Sequence, residues 1–240
     1  MKKLLLGFAI ALAVLVAGAE IVVGGVVLWA TQDAQNILAA AELGKPLCTD
    51  EQTGAELASG VPPHLRSAFV AAEEPRFFER SGLRVTASPL WWDMAAGRLF
   101  RSRVFAAGIV RCCLRDWRGG HFQWMVKTWA LTYLVDRIAP KDLILDSYMH
   151  VVSLEPGVRG IDAASRAYFG KSPAALTVAE AAYLAGLAKS PGRYAADDRL
   201  GVERRNAVLA SMRDVGAITA AQYEAAVAQP LGRARQPAGR

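Results

Sequence analysis

Leu4 to Ala19 carries no charge, and after Glu20 the apolar character resumes from Ile21 to Ala30. A run of this kind cannot form the surface of a water-soluble domain. It is either removed during export or placed in a bilayer, and the rest of the chain must fold behind it. Met1-Lys2-Lys3 supplies a short basic start. A cleaved signal peptide ending at Ala17-Gly-Ala19 is one reading, and an uncleaved anchor helix drawing on about 20 of these residues is the other. The anchor is preferred, because the apolar run continues past Glu20 as far as Trp29, a side chain suited to the membrane interface. A glutamate at mid-bilayer costs about 2.5–3.5 kcal/mol, which places Glu20 off centre. Lys2 and Lys3 keep the N-terminus in the cytoplasm and send the chain beyond about residue 31 to the other side.

The 240 residues leave ample length for a core, in one large domain or two small ones. Hydrophobic residues make up 53% and mean hydropathy is +0.20, an excess that sits partly at the N-terminus. The formal charge of +6 comes mostly from arginine and suits an anionic partner. No zinc-finger spacing or basic heptad region occurs, so nucleic acid is not expected. The cysteines are Cys48, Cys112 and Cys113, with no Cys-x-x-Cys. This indicates neither a zinc site nor a disulfide framework; a bridge from Cys48 to one of the others is open if the domain is exported. His64, His121 and His150 are scattered and suggest no metal cluster.

Thr31 to Pro63 reads as a connector, with a short helix over Ala34 to Leu43 and then Gly44, Pro46, Gly54, Gly60, Pro62 and Pro63 as punctuation. A helix from about Leu65 to Glu74 follows; Pro75 ends it, because the residue before a proline is driven out of the helical region. Glu73 and Glu74 stand at that corner beside Phe77 and Phe78. These residues alone fit an ordinary helix end with solvated glutamates; they also allow a partly desolvated carboxyl whose pKa rises toward the range of a general base. Leu90 to Phe100 is aromatic with cationic edges, equally suited to a core or to a lobe resting on a bilayer. Val104 to Leu114, Phe122 to Ile138 and Pro140 to Tyr148 have helical spacing, Val151 to Arg159 is a break, and Ile161 to Phe169 is a helix closed by Gly170. Thr177 with Glu180 forms a capping box ahead of a helix reaching Ala188; Asp197 to Val215 is a helix ended by Gly216; Thr219 caps Ala220 to Ala228. No strand pattern stands out. The expected fold class is all-α: an anchor at 1–31, a connector at 32–59, one domain at 60–231 and a disordered tail at 232–240.

Ile144 to His150, then Gly160-Ile-Asp-Ala-Ala-Ser-Arg-Ala-Tyr-Phe-Gly-Lys171, Leu176 to Gly186, Arg204 to Met212 and Gly216 to Tyr223 occur in an order that resembles the peptidoglycan glycosyltransferases of family 51. These are the monofunctional transglycosylases and the N-terminal domains of class A penicillin-binding proteins. The stretch Ala68 to Leu83 resembles the family's Glu-Asp-x-x-Phe-(Tyr/Phe)-x-His-x-Gly, with Glu73 in the place of the catalytic glutamate. The resemblance covers about 60–231 and the anchor in front. It implies a lysozyme-like helical domain on the outer face of a bacterial inner membrane, polymerising lipid II into glycan strands. In that reaction a base takes the proton of a sugar 4-hydroxyl, whose oxygen attacks the anomeric carbon of the growing chain and expels undecaprenyl pyrophosphate. Glu73 is then the base and Glu74 a supporting acid, while Lys127, Arg111 and Arg76 bind substrate. No cofactor is required; a divalent cation, magnesium or manganese, has a place at the pyrophosphate. Implied partners are lipid II, the nascent strand, the membrane and other cell-wall synthesis proteins.

The sequence departs from the family at several points. Glu74 stands for its aspartate, Arg80 for its histidine and His150 for the asparagine of Tyr-Leu-Asn. Counted back from Tyr148, Ser102 to Ile109 falls on Gly-Gly-Ser-Thr-Ile-Thr-Gln-Gln and keeps almost none of its polar groups, while Cys112 and Cys113 fall on the lysine and asparagine that follow. Trp124-Met-Val-Lys-Thr128 falls on Arg-Lys-x-x-Glu, so Lys127 offers a cation but Thr128 replaces the second glutamate. Losing such a carboxylate costs several kcal/mol of transition-state stabilisation; Glu74, Asp116 and Asp136 are the nearby acids. Two expectations follow: a lipid II polymerase, and an impaired relative that binds lipid II or glycan as a scaffold. Glycan cleavage is a weaker third. The chain stops near Leu231, so no transpeptidase chemistry is expected.

Overall fold

The computed structural model describes residues 14–15, 17–18, 21–22, 24–25, 28–29, 35–43, 45, 47–48, 61–79, 103–115, 118–155 and 157–232. Among them α1 is Gln35–Glu42, α2 Pro63–Glu73, α3 Val104–Cys113, α4 His121–Ile138, α5 Lys141–Val151, α6 Gly160–Phe169, α7 Val178–Leu187, α8 Pro191–Ala196, α9 Asp198–Asp214 and α10 Ala220–Ala228. The expected anchor lies largely outside the described residues. Of its span, Val14, Leu15, Ile21, Val22 and Leu28 are helical and exposed; among the described residues no helix is long and apolar enough to cross a membrane. Leu90 to Phe100, Arg80, Asp116 and all of the tail beyond Gly232 are also outside them.

The elements begin and end where side chains satisfy the free backbone groups of a helix end. Pro63 opens α2 at a position that needs no N–H donor, and the chain leaves helical geometry at Glu74, just before Pro75. Thr177 accepts from Glu180 N while Glu180 accepts from Thr177 N, and Thr219 and Gln222 repeat this reciprocal cap on α10. Asp197 caps α9 through Leu200 N, and Gly170 closes α6 in the left-handed conformation, φ 66°. The expected break at 151–159 is instead a small antiparallel hairpin, β1 Ser153–Glu155 and β2 Val158–Arg159, with Ser153 opposite Arg159. Strands of three and two residues are too short to show an alternating pattern, so among the described residues the all-α expectation holds apart from this hairpin.

Helix α7 is the centre. Every residue from Ala179 to Leu187 is buried, as befits a helix that is apolar on all sides beyond the capping Glu180. Its small side chains let α2 and α9 approach closely; a Cβ on Gly186 would lie 3.0 Å from Arg204 Cγ. On the other side α3 packs against α5 and α4. Arg66 on α2 holds Asp142 and Asp146 on α5, which joins the two groups of helices. Phe77, Phe105 and Tyr148 pack in series, Phe77 edge-on to Phe105 and Phe105 tilted against Tyr148, with 4.8 Å between ring centroids in each pair.

Candidate active site

Glu73 is the last residue of α2 and sits where α2, α7 and α9 meet. Arg204 on α9 donates to Ala72 O at 3.3 Å and to Gly186 O at 3.5 Å, so one guanidinium closes the C-terminal ends of α2 and α7 beside the carboxylate. The Glu73 pKa is raised. Burial is the largest cause; the nearby charges of Arg204 and Lys189 oppose it, and Glu74 adds to it. Oε1 of Glu73 is buried and has no hydrogen-bond partner among the described residues. A desolvated carboxylate with one oxygen free is what a general base requires.

Glu74 faces the other way. It is buried, and its Oε1 accepts the Phe105 N–H at 3.1 Å, in the first turn of α3. It therefore caps α3 from outside that helix. Tyr148 lies so close to Gly108 of α3 that a Cβ there would come within 2.6 Å of the ring. Burial drives the Tyr148 phenol far above its ordinary value; Glu73 adds to this, Arg111 opposes it and Glu74 adds again.

A groove of about 400 Å³ runs between α3 and α4. Arg103, Val104, Ala107 and Arg111 form one wall; Trp124, Met125, Thr128, Trp129, Thr132 and Tyr133 form the other. Arg111 is exposed at its rim. The Oγ1 atoms of Thr128 and Thr132, one turn apart, are buried without a hydrogen-bond partner among the described residues. Thr128 is the residue on which the expected register sets the family's second glutamate, and it brings a hydroxyl to the groove wall. Asp136 does not replace it: its two oxygens are bound to Arg103 at 3.0 Å and Lys141 at 2.7 Å.

Of the other expected site residues, Arg76 is exposed and stands 3.8 Å from Glu79. Lys127 points away from the groove. It is only 1% exposed, and its ammonium lies 4.9 Å from the Trp29 ring centroid. The structure thus brings Glu73, Glu74, Tyr148 and Arg111 into one neighbourhood and leaves Arg76 and Lys127 outside it. Spacing in the sequence does not place Arg204 and Lys189 beside Glu73. For Lys189 the one signal was a cation just past the end of α7, an almost wholly apolar helix; Arg204 is one of four arginines on α9 and had no such signal. His64 donates its Nε2–H to Leu176 O, 2.8 Å away, His121 stacks on Trp124, and His150 is buried. Among the described residues no group of three or more histidine, cysteine or acidic side chains could hold a metal ion.

Comparison with known proteins matches residues 110–213 to the transglycosylase family model. A putative transglycosylase of Cupriavidus necator is 31% identical over 180 residues, 71% of this chain and 75% of that protein. A biosynthetic peptidoglycan transglycosylase of Shewanella oneidensis is 33% identical over 164 residues, 66% of this chain and 70% of that protein. Penicillin-binding protein 1A of Aquifex aeolicus is 32% identical over 175 residues, 71% of this chain; the chain spans only 24% of that longer relative. With two relatives above 30% identity matched over most of their length, the chain belongs to the peptidoglycan transglycosylase family, glycosyltransferase family 51.

Proposed function

We propose that the protein handles lipid II at the outer face of a bacterial inner membrane and elongates glycan strands with Glu73 as the general base. The observation that carries this reading is the Glu73 carboxylate itself: desolvated, flanked by Arg204 and Lys189, with Oε1 unpartnered. On this reading 1–31 is the anchor, 32–59 the connector and 60–231 the catalytic domain. Glu73 removes the proton of the acceptor 4-hydroxyl, and the oxygen displaces the lipid pyrophosphate with inversion. Arg111 offers a cation to the departing pyrophosphate from the rim of the groove. A divalent ion, magnesium or manganese, has a place at the pyrophosphate, and no step is assigned to it.

A second reading has its own support. Thr128 stands where a carboxylate is expected, and Asp136 is neutralised by two cations. A site with one acid turns over slowly, which suits a lipid II or glycan-binding scaffold among cell-wall synthesis proteins. Labelled lipid II added to the detergent-solubilised chain separates the two. Polymer that disappears in Glu73→Gln and grows at least tenfold in Thr128→Glu supports catalysis. Saturable binding without polymer, unchanged in Thr128→Glu, supports the scaffold.

A further inference from the structure

The connector is pinned at one point. Leu47 is 3% exposed; its N–H is donated to Ser147 Oγ on α5 at 3.3 Å, and its carbonyl accepts the Cys113 thiol of α3 at 3.4 Å. Cys48 is the next residue, so the peptide that carries it rests directly against Cys113. Cys112, one step along the helix, is turned about 100° away, and its sulfur receives Arg159 of β2 at 3.8 Å. None of the three cysteines is in a disulfide, and all are partly buried against the core. The two hydrogen bonds of Leu47 fix the path of the chain at Cys48, and the helix selects which of the adjacent cysteines faces it.

We propose that Cys48 and Cys113 are a modification site, oxidised to a cystine that ties the connector to α3, while Cys112 stays a thiol. The inference draws only its oxidising compartment from the extracytoplasmic placement proposed above. The co-reactant is a disulfide, from a small molecule or a thiol oxidoreductase. One thiolate attacks it and releases a thiol; the second thiolate then attacks the mixed disulfide and releases the other. Two protein thiols lose two electrons and two protons, and one external disulfide becomes two thiols. The bond closes a long loop containing α2, the class of cross-link that most restricts an unfolded chain.

The experiment uses the full chain in detergent and a defined redox buffer, so its outcome does not depend on whether lipid II is polymerised. After incubation with excess oxidised glutathione, free thiols are alkylated and unreduced peptides are mapped by mass spectrometry. A Cys48–Cys113 peptide with Cys112 alkylated is expected, retained in Cys112→Ser and absent from Cys113→Ser. Oxidation should also raise the melting temperature by roughly 5–15 °C. A Cys48–Cys112 linkage overturns the proposal. So does folded protein in which Cys48 and Cys113 both remain alkylatable or carry only glutathione. The wild-type peptide map decides by itself if the Cys113 variant does not fold.

Discussion

Phe105 donates its backbone N–H to the Glu74 carboxylate across 3.1 Å, so the residue after the candidate base holds the start of a different helix. Two adjacent glutamates therefore carry separate tasks. Glu74→Ala leaves a buried donor unsatisfied at the start of α3 and should lower stability by about 1–2 kcal/mol. Glu74→Gln keeps an acceptor and should cost less. Urea denaturation measures both; glycan synthesis by folded Glu74→Gln should stay within a few-fold of the parent.

Glu73 makes a pH-dependent contribution with a definite sign. Its folded pKa lies above the ordinary carboxylate value of 4.5, so the folded state binds the proton more tightly than the unfolded state. The contribution to stability is fully present below pH 4.5 and is lost as pH rises through the folded value. Glu73→Gln removes the charging step. Its melting temperature should equal or exceed the parent's at neutral pH, and the gap should close on acidification; a gap that widens in acid refutes the assignment.

Thr132 offers a test of the groove. Its hydroxyl is buried without a partner among the described residues, so Thr132→Val removes a desolvated polar atom and keeps the shape. Stability should rise by roughly 1 kcal/mol. If the hydroxyl receives part of the substrate, affinity for lipid II falls in the same variant, giving opposite signs in chemical denaturation and in a binding titration.

Gly160 follows the hairpin with φ 73°, and a Cβ there would stand 2.4 Å from the His150 carbonyl oxygen. Gly160→Ala meets both a left-handed backbone and a backbone clash. A loss of about 2–4 kcal/mol is expected, read as a lowered urea midpoint, while the same change at open Gly120 should cost little.

The helices were legible in the sequence because their ends are local chemistry. Thr177 with Glu180, Asp197, Thr219 and Gly170 each do what their type and spacing announce. Glu73 was legible for the same reason, since Pro75 fixes the corner it occupies. The cleft was less so. Lys127 and Thr128 differ by one step, yet that step turns a helix by about 100° and decides which side chain meets Trp29 and which lines the groove. Nor could spacing reveal Arg204, whose bond to Ala72 O spans 132 positions of chain. Such neighbours follow from how α9 lies on α2, which depends on the packing of the small residues of α7.

Arg204 binds two helix ends and also bears on the acidity of Glu73. Proton affinity and architecture thus share a single side chain. A lysine there would keep the charge but lose the fork that reaches two carbonyls; a neutral residue would surrender both. Tuning the base by substitution at this position therefore also shifts the frame that holds it, whereas Lys189, exposed and joined to no such strut, is the place where acidity can be adjusted by itself.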